Sequence, residues 1–269
     1  MIIFTDLDGS LLDHGDYSWV HAGPALDLLQ KREIPVIICT SKTFGEAELI
    51  QRDMGLTGPL IVENGNGIFF PLDFIGLADT PVHFRNGRPC LELGKSYGVI
   101  RLFFKELQRK FAVRGFGDMT VAEVAARTNL SVEKAAMAKI RDFSEPFVLE
   151  KEDQLGALEE VVARRGFRIT KGGRFYHLSD CRGDKGRATK LVAGIFSAKW
   201  GVPVRTVGLG DSPNDYSMLE QVDIPVLIPN RFGRHEDFVL RDLVRAPFPG
   251  SRGWNAVIFD IFDHDNEII

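Results

Sequence analysis

The sequence predicts an α/β fold in which an open parallel sheet carries an inserted α+β unit. Two observations predict the sheet: short apolar runs alternate with helix-sized segments, and polar residues cluster where the apolar runs end. The insertion is predicted because strands and helices stop alternating one for one in the middle of the chain. The length of 269 residues allows one large or two modest domains.

A βαβ unit is predicted near the N-terminus. Ile2–Thr5 and Ile34–Cys39 are apolar runs typical of buried parallel strands. Between them, Ala25–Arg32 is predicted to form the crossover helix, and Gly23-Pro24 places a proline near its first turn. Both strands end in polar residues, which is where open parallel sheets bind ligands.

The same pattern occurs once more before the chain changes character. Gly45–Met54 is predicted to be a helix that stops at Gly55, and Leu60–Val62 a buried strand that runs into the polar segment Glu63–Gly67. Three polar strand ends therefore outline a single site at one edge of the sheet.

The middle of the chain is predicted to form the α+β unit. Its strands and helices are expected at Cys90–Leu93, Tyr97–Lys110, Thr120–Ala126, Val132–Asp142, Phe147–Glu150, Leu155–Arg164, Phe167–Thr170 and Arg174–Leu178. The last two are predicted to form a hairpin, because Gly172-Gly173 favours a tight turn. After Gly183 the α/β pattern resumes, and the core is completed by Gly186–Trp200, Val204–Leu209, Tyr216–Gln221 and Ile224–Ile228.

The composition is that of a soluble globular protein, with 44% hydrophobic and 26% charged residues. A net charge of -4 argues against a nucleic-acid partner. The three cysteines form no CxxC pair, so neither a disulfide framework nor a cysteine zinc site is indicated, and a reducing compartment is expected. No uncharged run reaches the roughly 18 to 20 apolar residues of a membrane helix. We therefore expect a cytoplasmic protein with no membrane partner.

Two of the strand ends carry paired acids. Asp6 and Asp8 stand in i, i+2 spacing within Asp-Leu-Asp-Gly-Ser, where the turn at Gly9 lets both point to one region. Asp211 and Asp215 follow a later strand within Gly-Leu-Gly-Asp-Ser-Pro-Asn-Asp. Clustered carboxylates repel one another unless a cation is near, and oxygen ligands suit Mg²⁺. Helix capping is the alternative for either strand end, but two such ends on one sheet favour a metal site.

Two further positions offer groups for an anion. Lys185 lies between the inserted unit and the resumed core, where its charge can reach the carboxylates and a phosphate. Thr40 or Ser41 offers a hydroxyl and backbone N–H groups at the end of the second strand. A solvated lysine and a helix cap are the ordinary alternatives for these residues.

In this order, the four segments resemble the motifs of the haloacid dehalogenase superfamily of phosphohydrolases. The resemblance implies a Rossmann-like core over residues 1–82 and 183–269, with residues 83–182 as an inserted cap of type 2, as in Cof-like phosphatases. It implies that Asp6 is the nucleophile that forms an aspartyl-phosphate and that Asp8 is the general acid and base. The implied Mg²⁺ ligands are Asp6, Asp8 through its backbone carbonyl, Asp211 and Asp215, the last directly or through water.

Four other segments resemble the mannosyl-3-phosphoglycerate phosphatase branch of that superfamily. They are Cys-Thr-Ser-Lys-Thr (39–43), Glu-Asn-Gly (63–65), Asp-Phe-Ser-Glu-Pro-Phe (142–147) and Gly-Gly-Arg-Phe-Tyr-His-Leu (172–178). The substrate ligands implied by this resemblance are Lys42, Thr43, Glu63, Asn64, Gly65, Arg174, His177 and Asn214. Because Arg174 and His177 are three apart, a regular strand would point them to opposite faces, so both can serve only if Arg174 belongs to the turn.

The expected activity is therefore Mg²⁺-dependent hydrolysis of a small phosphorylated sugar-acid, mannosyl-3-phosphoglycerate, to mannosylglycerate and phosphate. Sucrose-6-phosphate and glucosyl-3-phosphoglycerate are alternative substrates. A sugar-phosphate-binding protein without turnover is an alternative of another class, and the presence of Asp6, Asp8, Lys185 and Asp211 argues against it.

Overall fold

The computed structural model describes residues 1–77, 80–172 and 175–265, the last two residues by their backbone alone. In chain order the strands are β1 (Ile2–Thr5), β2 (Val36–Cys39), β3 (Leu60–Val62), β4 (Gly67–Phe69), β5 (His83–Arg85), β6 (Arg88–Glu92), β7 (Val113–Gly115), β8 (Ser144–Leu149), β9 (Phe167–Gly172), β10 (Phe175–Asp180), β11 (Thr206–Gly210), β12 (Ile224–Leu227) and β13 (Val244–Arg245). The α-helices are α1 (Gly23–Lys31), α2 (Phe44–Asp53), α3 (Tyr97–Leu107), α4 (Val121–Thr128), α5 (Val132–Lys139), α6 (Leu155–Arg164), α7 (Lys185–Trp200), α8 (Tyr216–Leu219) and α9 (Gly250–Asp265).

The larger sheet has a parallel centre. Among the described residues it has nine strands, in the order β13-β12-β11-β1-β2-β3-β4-β6-β5. Strand β1 pairs in parallel with β11 on one side and with β2 on the other. The carboxyl ends of β1, β11 and β2 therefore lie side by side, which brings the polar segments that follow them together.

Both faces of this sheet are buried beneath helices, as its apolar runs predict. Along β1, Ile3 packs into a cluster with residues of α1, α2 and α9. Ile2 and Phe4 point the other way, into a cluster with residues of α7 and α8. The parallel sheet with helices on both faces confirms the predicted fold class. None of the helices in the described ranges is long and apolar enough to span a bilayer.

A second, antiparallel sheet has the strand order β7-β8-β10-β9 and lies between the two halves of the larger sheet in sequence. Helices α3 and α6 cover one of its faces through residues such as Phe104 and Leu158. Strands β9 and β10 pair antiparallel with Phe175 opposite Gly172, as the predicted hairpin requires, while Gly173 of the predicted turn lies outside the described residues.

Strand pairing supports a later start of the inserted unit than residue 83. Strand β6 pairs with β4, and β5 pairs with β6, so both belong to the larger sheet. The sequence placed residues 83–92 in the inserted unit because an antiparallel extension breaks the βα alternation just as an insertion does. We therefore propose that the cap begins after Glu92.

Candidate active site

Asp6 directly follows β1 at the centre of the sheet. The residue is only 5% exposed, and its backbone N–H donates to the carbonyl of Leu209 in β11 at 2.9 Å. The chain then turns through Gly9, whose φ of +88° lies in the left-handed region. A Cβ at Gly9 would lie 2.5 Å from Asp211 Oδ2, so only glycine lets the two acidic strand ends approach this closely.

The second acidic strand end follows β11. One carboxylate oxygen of Asp215 accepts hydrogen bonds from the backbone N–H groups of Asp211 at 3.0 Å and Ser212 at 3.1 Å. These bonds tighten the turn at 211–215 and hold its two acids at the end of the sheet. The arrangement therefore combines capping geometry with a cluster of carboxylates.

Lys185, the first residue of α7, joins the two strand ends. Its Nζ lies 2.6 Å from Asp6 Oδ1 and 2.6 Å from Asp215 Oδ1. Burial alone would lower the pKa of Lys185, but the two carboxylates outweigh burial and raise it above the ordinary value. Lys185 is therefore a permanent buried cation between two acids.

The acids outnumber this cation. Burial raises the pKa of Asp6 to about 7, although Lys185 opposes the shift. Burial raises the pKa of Asp211 to about 9, and the charges of Asp215 and Asp6 add to the shift. A further positive charge is needed to keep these carboxylates ionised at neutral pH.

The acidic cluster fits a hard divalent cation. Carboxylate oxygens of Asp6, Asp211 and Asp215 lie within 4.8 Å of one another. Asp211 Oδ1 is buried and accepts no hydrogen bond, so one oxygen of the cluster has no partner within the protein. Oxygen ligands and an excess of negative charge are what Mg²⁺ requires.

Asp8 lies beside this cluster in a different environment. Its side chain is 39% exposed, and Oδ2 forms an ion pair with Lys42 Nζ at 2.7 Å. Its other oxygen, Oδ1, has no hydrogen-bond partner. One oxygen of the side chain is thus held by Lys42, and the other is buried without a partner within the protein.

The segment after β2, residues 40–43, forms hydrogen bonds within the protein. Thr40 is buried and accepts a hydrogen bond from the N–H of Lys42 at 3.2 Å, while the carbonyl of Ser41 accepts from Arg141 at 2.9 Å. Thr43 caps α2 in a capping box with Glu46, and its hydroxyl also reaches the carbonyl of Met137. The hydroxyl predicted to bind substrate at Thr43 is therefore already engaged in the helix cap.

Glu63 contacts the segment that leads into the second sheet. Its buried carboxylate accepts from Arg141 Nε at 3.1 Å, from the N–H groups of Asp142 at 2.7 Å and Phe143 at 3.2 Å, and from Ser144 Oγ at 2.6 Å. These donors occupy both carboxylate oxygens. Glu63 therefore holds the segment that enters the second sheet.

The neighbours of Glu63 lie closer to the acids. Asn64 Oδ1 accepts a hydrogen bond from Asn214 Nδ2 at 3.1 Å, which links the loop after β3 to the turn after β11. Gly65 has φ +81°, and a Cβ there would lie 2.2 Å from the backbone of Asp184. This close approach positions the start of α7, and with it Lys185.

From the second sheet, His177 is buried on β10. Burial lowers the pKa of His177 to about 3, and the charges of Arg141 and Lys185 lower it further, so the imidazole is neutral. Arg174, its predicted companion, lies outside the described residues.

Sequence reasoning missed three residues near the site. His14 Nε2 lies 3.5 Å from Asp211 Oδ2, Arg141 binds Glu63, and Arg168 Nη2 lies 3.5 Å from the carbonyl of Asn64. Arg141 immediately precedes the Asp-Phe-Ser-Glu-Pro-Phe segment, and this position could have indicated that it lies near the site. The alternation of β9 was a signal for Arg168, whereas no local pattern marked His14.

Comparisons with known proteins agree with this geometry. A protein from Persephonella marina named glucosyl-3-phosphoglycerate/mannosyl-3-phosphoglycerate phosphatase is 47% identical over 263 residues, which cover 98% of this chain and 97% of that protein. A protein of the same name from Methanococcoides burtonii is 39% identical over 271 residues, covering 99% of each chain. A Thermoplasma acidophilum crystal structure matches with a TM-score of 0.70 at 16% identity, over 97% of each chain, which shows the shared fold.

The family model for haloacid dehalogenase-like hydrolases matches residues 3–231, a span that contains every residue of the acidic site. The matched span includes the strand ends that the sheet brings together. The chain belongs to the haloacid dehalogenase-like hydrolases and is a phosphoric monoester hydrolase.

Proposed function

We propose that this enzyme removes phosphate from mannosyl-3-phosphoglycerate and glucosyl-3-phosphoglycerate, giving the glycosylglycerate and phosphate. The observation that carries the proposal is the 47% identity, over 98% of the chain, to a phosphatase named for both substrates. The acidic site supports it because it combines a buried carboxylate, a buried lysine and a second carboxylate with a free oxygen.

Asp6 is the proposed nucleophile. One of its oxygens attacks phosphorus while the bond from phosphorus to the substrate oxygen breaks, which leaves an aspartyl-phosphate and an alkoxide. Asp8 enters this step in its protonated form and gives its proton to that alkoxide. It then takes a proton from a water molecule, which attacks phosphorus and releases inorganic phosphate and the Asp6 carboxylate.

The surrounding residues lower the cost of bringing two anions together. Lys185 neutralises charge on Asp6 and the phosphate, and Thr40 or Ser41 binds a phosphate oxygen through a hydroxyl or backbone N–H. Lys42, Asn64, Gly65 and Asn214 line the same strand ends and are proposed to contact the substrate. Asp6, Asp211, Asp215 and the carbonyl of Asp8 would hold Mg²⁺, which supplies positive charge for the phosphate oxygens when bound.

The partner is a small phosphorylated sugar-acid, and the proposed compartment is the cytoplasm. The lack of a CxxC pair supports the compartment, and the mildly acidic composition argues against a nucleic-acid partner.

A substrate panel tests the proposal. Phosphate release is measured with and without Mg²⁺ for mannosyl-3-phosphoglycerate, glucosyl-3-phosphoglycerate, sucrose-6-phosphate and p-nitrophenyl phosphate. We expect Mg²⁺-dependent release with the highest kcat/KM for the two glycosyl-3-phosphoglycerates. A higher kcat/KM for sucrose-6-phosphate would favour the alternative substrate, and binding of all four without release would indicate a non-catalytic protein.

A further inference from the structure

The hairpin of β9 and β10 has one apolar and one polar face. Phe167 and Ile169 on β9, and Tyr176 and Leu178 on β10, pack against the helices of the second sheet. Since side chains alternate along a strand, the residues between them point to the opposite face. The register places Arg168 beside Ser179 and Thr170 beside His177 on that face. We call these four residues the cap polar patch.

Each residue of the cap polar patch has an unpartnered buried atom. These atoms are Arg168 Nε, Thr170 Oγ1, His177 Nδ1 and Ser179 Oγ. Ser179 is 1% exposed and His177 is 7% exposed, so neither side chain is solvated. Buried polar groups in folded proteins normally have hydrogen-bond partners. Four orphaned atoms in adjacent cross-strand positions therefore indicate a place that a polar ligand completes.

The cap polar patch lies over the acidic site. Arg168 Nη2 lies 3.5 Å from the carbonyl of Asn64, in the loop after β3, and β9 packs against the turn at 213–215. The charge of Lys185 is close enough to lower the pKa of His177. A molecule whose phosphate binds beside Lys185 would thus extend its other end toward the patch.

The patch carries a positive charge that lacks an ion-pair partner, although the charges of Asp184 and Asp180 act on it from farther away. Among the described residues, no carboxylate lies within ion-pair distance of Arg168. The two nearest acids in sequence on its C-terminal side are engaged elsewhere: Asp180 pairs with Lys95 and Arg182, and Asp184 caps α7. Burial lowers the pKa of Arg168 without removing its charge, since guanidinium remains protonated in proteins.

We propose that the cap polar patch binds the carboxylate of the substrate, with Arg168 as its charged partner and Ser179, Thr170 and His177 as hydrogen-bonding partners. The inference rests on the proposed function and adds the group that the cap recognises. A planar guanidinium matches a carboxylate in both charge and geometry. In a glycosyl-3-phosphoglycerate, that carboxylate is two carbons away from the carbon that bears the phosphate ester.

The test compares two small esters that differ only in this group. 3-Phosphoglycerate and glycerol 3-phosphate share the phosphate and the neighbouring hydroxyl, but only the first has a carboxylate. The ratio of their kcat/KM values is measured for the parent enzyme, Arg168→Gln and Arg165→Gln. Arg165 is the matched control, because it is an arginine of the same unit whose side chain is 63% exposed and pairs with Glu106.

We expect the parent enzyme to prefer 3-phosphoglycerate and Arg168→Gln to lower that preference about ten- to a hundredfold, the usual effect of losing a charge-assisted hydrogen bond. Arg165→Gln should keep the ratio. A parent enzyme without preference, or an Arg168→Gln enzyme with the parent ratio, overturns the inference. Hydrolysis of p-nitrophenyl phosphate reports whether Arg168→Gln folds. If that variant does not fold, the same ratio is measured for Ser179→Ala. An unchanged ratio in Ser179→Ala also overturns the inference.

The outcomes separate this inference from the proposed function. An Arg168-dependent preference for 3-phosphoglycerate, without hydrolysis of either glycosyl-3-phosphoglycerate, would support the carboxylate site and reject the proposed substrates. Hydrolysis of both glycosyl-3-phosphoglycerates, together with an Arg168→Gln ratio equal to that of the parent, would support the proposed substrates and reject the carboxylate site.

Discussion

Lys185 supplies a buried positive charge between two carboxylates, and its ion pairs set the charge of the active site. Asp6 is placed so that one oxygen contacts Lys185 while the other remains available. This asymmetry suits a nucleophile, because the lysine fixes the carboxylate without occupying both of its oxygens.

Replacement of Asp6 by Asn tests the nucleophile. The amide has nearly the same size but neither charge nor nucleophilicity, so turnover should fall to background while the fold is kept. Phosphate release and far-UV circular dichroism are the measurements. Turnover at the parent rate, in a sample shown by mass spectrometry to be free of deamidation, would contradict the assignment.

His177 makes a prediction about pH and stability. Its folded pKa is about 3, below the ordinary value of 6.5, so the unfolded chain binds a proton more readily. Above pH 6.5 the imidazole is neutral in both the folded and the unfolded chain, so it costs no stability. As the pH falls from 6.5 toward 3, the unfolded chain takes up a proton that the folded chain does not. The free energy of unfolding is therefore lower by roughly 3 kcal/mol at pH 4.

His177→Gln removes this titration. The difference in unfolding free energy between parent and variant, measured by urea denaturation, should therefore shift in favour of the variant between pH 7 and pH 4. A pH-independent difference would show that the imidazole is not held neutral in the folded protein.

At the scale of elements, Glu63 connects the end of β3 to the segment that enters β8. Its backbone has φ +48°, an uncommon conformation for glutamate that its buried contacts must maintain. The same carboxylate binds the side chain of Arg141 and two backbone N–H groups, so it orients the second sheet relative to the first.

Glu63→Gln should destabilise the protein by about 3 to 5 kcal/mol, because it leaves Arg141 as a buried charge without its partner. Glu48→Gln is the matched control: Glu48 also pairs with an arginine, Arg88, but its side chain is 39% exposed. For that surface pair we expect at most about 1 kcal/mol. Chemical denaturation of both variants is the measurement, and equal losses would reject the anchoring role of Glu63.

At the scale of the whole molecule, the acidic site brings together carboxylates that lie more than 200 residues apart in sequence, at positions 6 and 211. The folded chain confines these charges and the unfolded chain separates them. A cation that binds the folded site therefore opposes unfolding by mass action.

Mg²⁺ should raise the midpoint of thermal unfolding, and a concentration of about 100 times Kd corresponds to roughly 2.7 kcal/mol. Asp211→Asn should abolish this increase, because it removes a ligand with an unpartnered oxygen. Asp237→Asn, at an exposed position, is the control, and sodium chloride at equal ionic strength separates binding from screening. The same increase in Asp211→Asn and the parent would place the cation elsewhere.

The sequence determined the parts of this protein that depend on local pattern. Helix α6 has the predicted bounds Leu155–Arg164, and β1 and β3 begin and end at the predicted residues. The acidic strand ends were also predictable, because a parallel sheet brings the carboxyl ends of its strands to one edge whichever residues form the loops.

Only the tertiary structure decided features that depend on residues far apart in the chain. The donors to Glu63 come from residues 141–144, so its engagement as an anchor leaves no trace around position 63. Helix α9 was not predicted, although its Trp254 donates a hydrogen bond to Thr5 at the end of β1. The cap polar patch requires the register of two strands, since alternation gives each residue a face but only pairing places Arg168 beside Ser179.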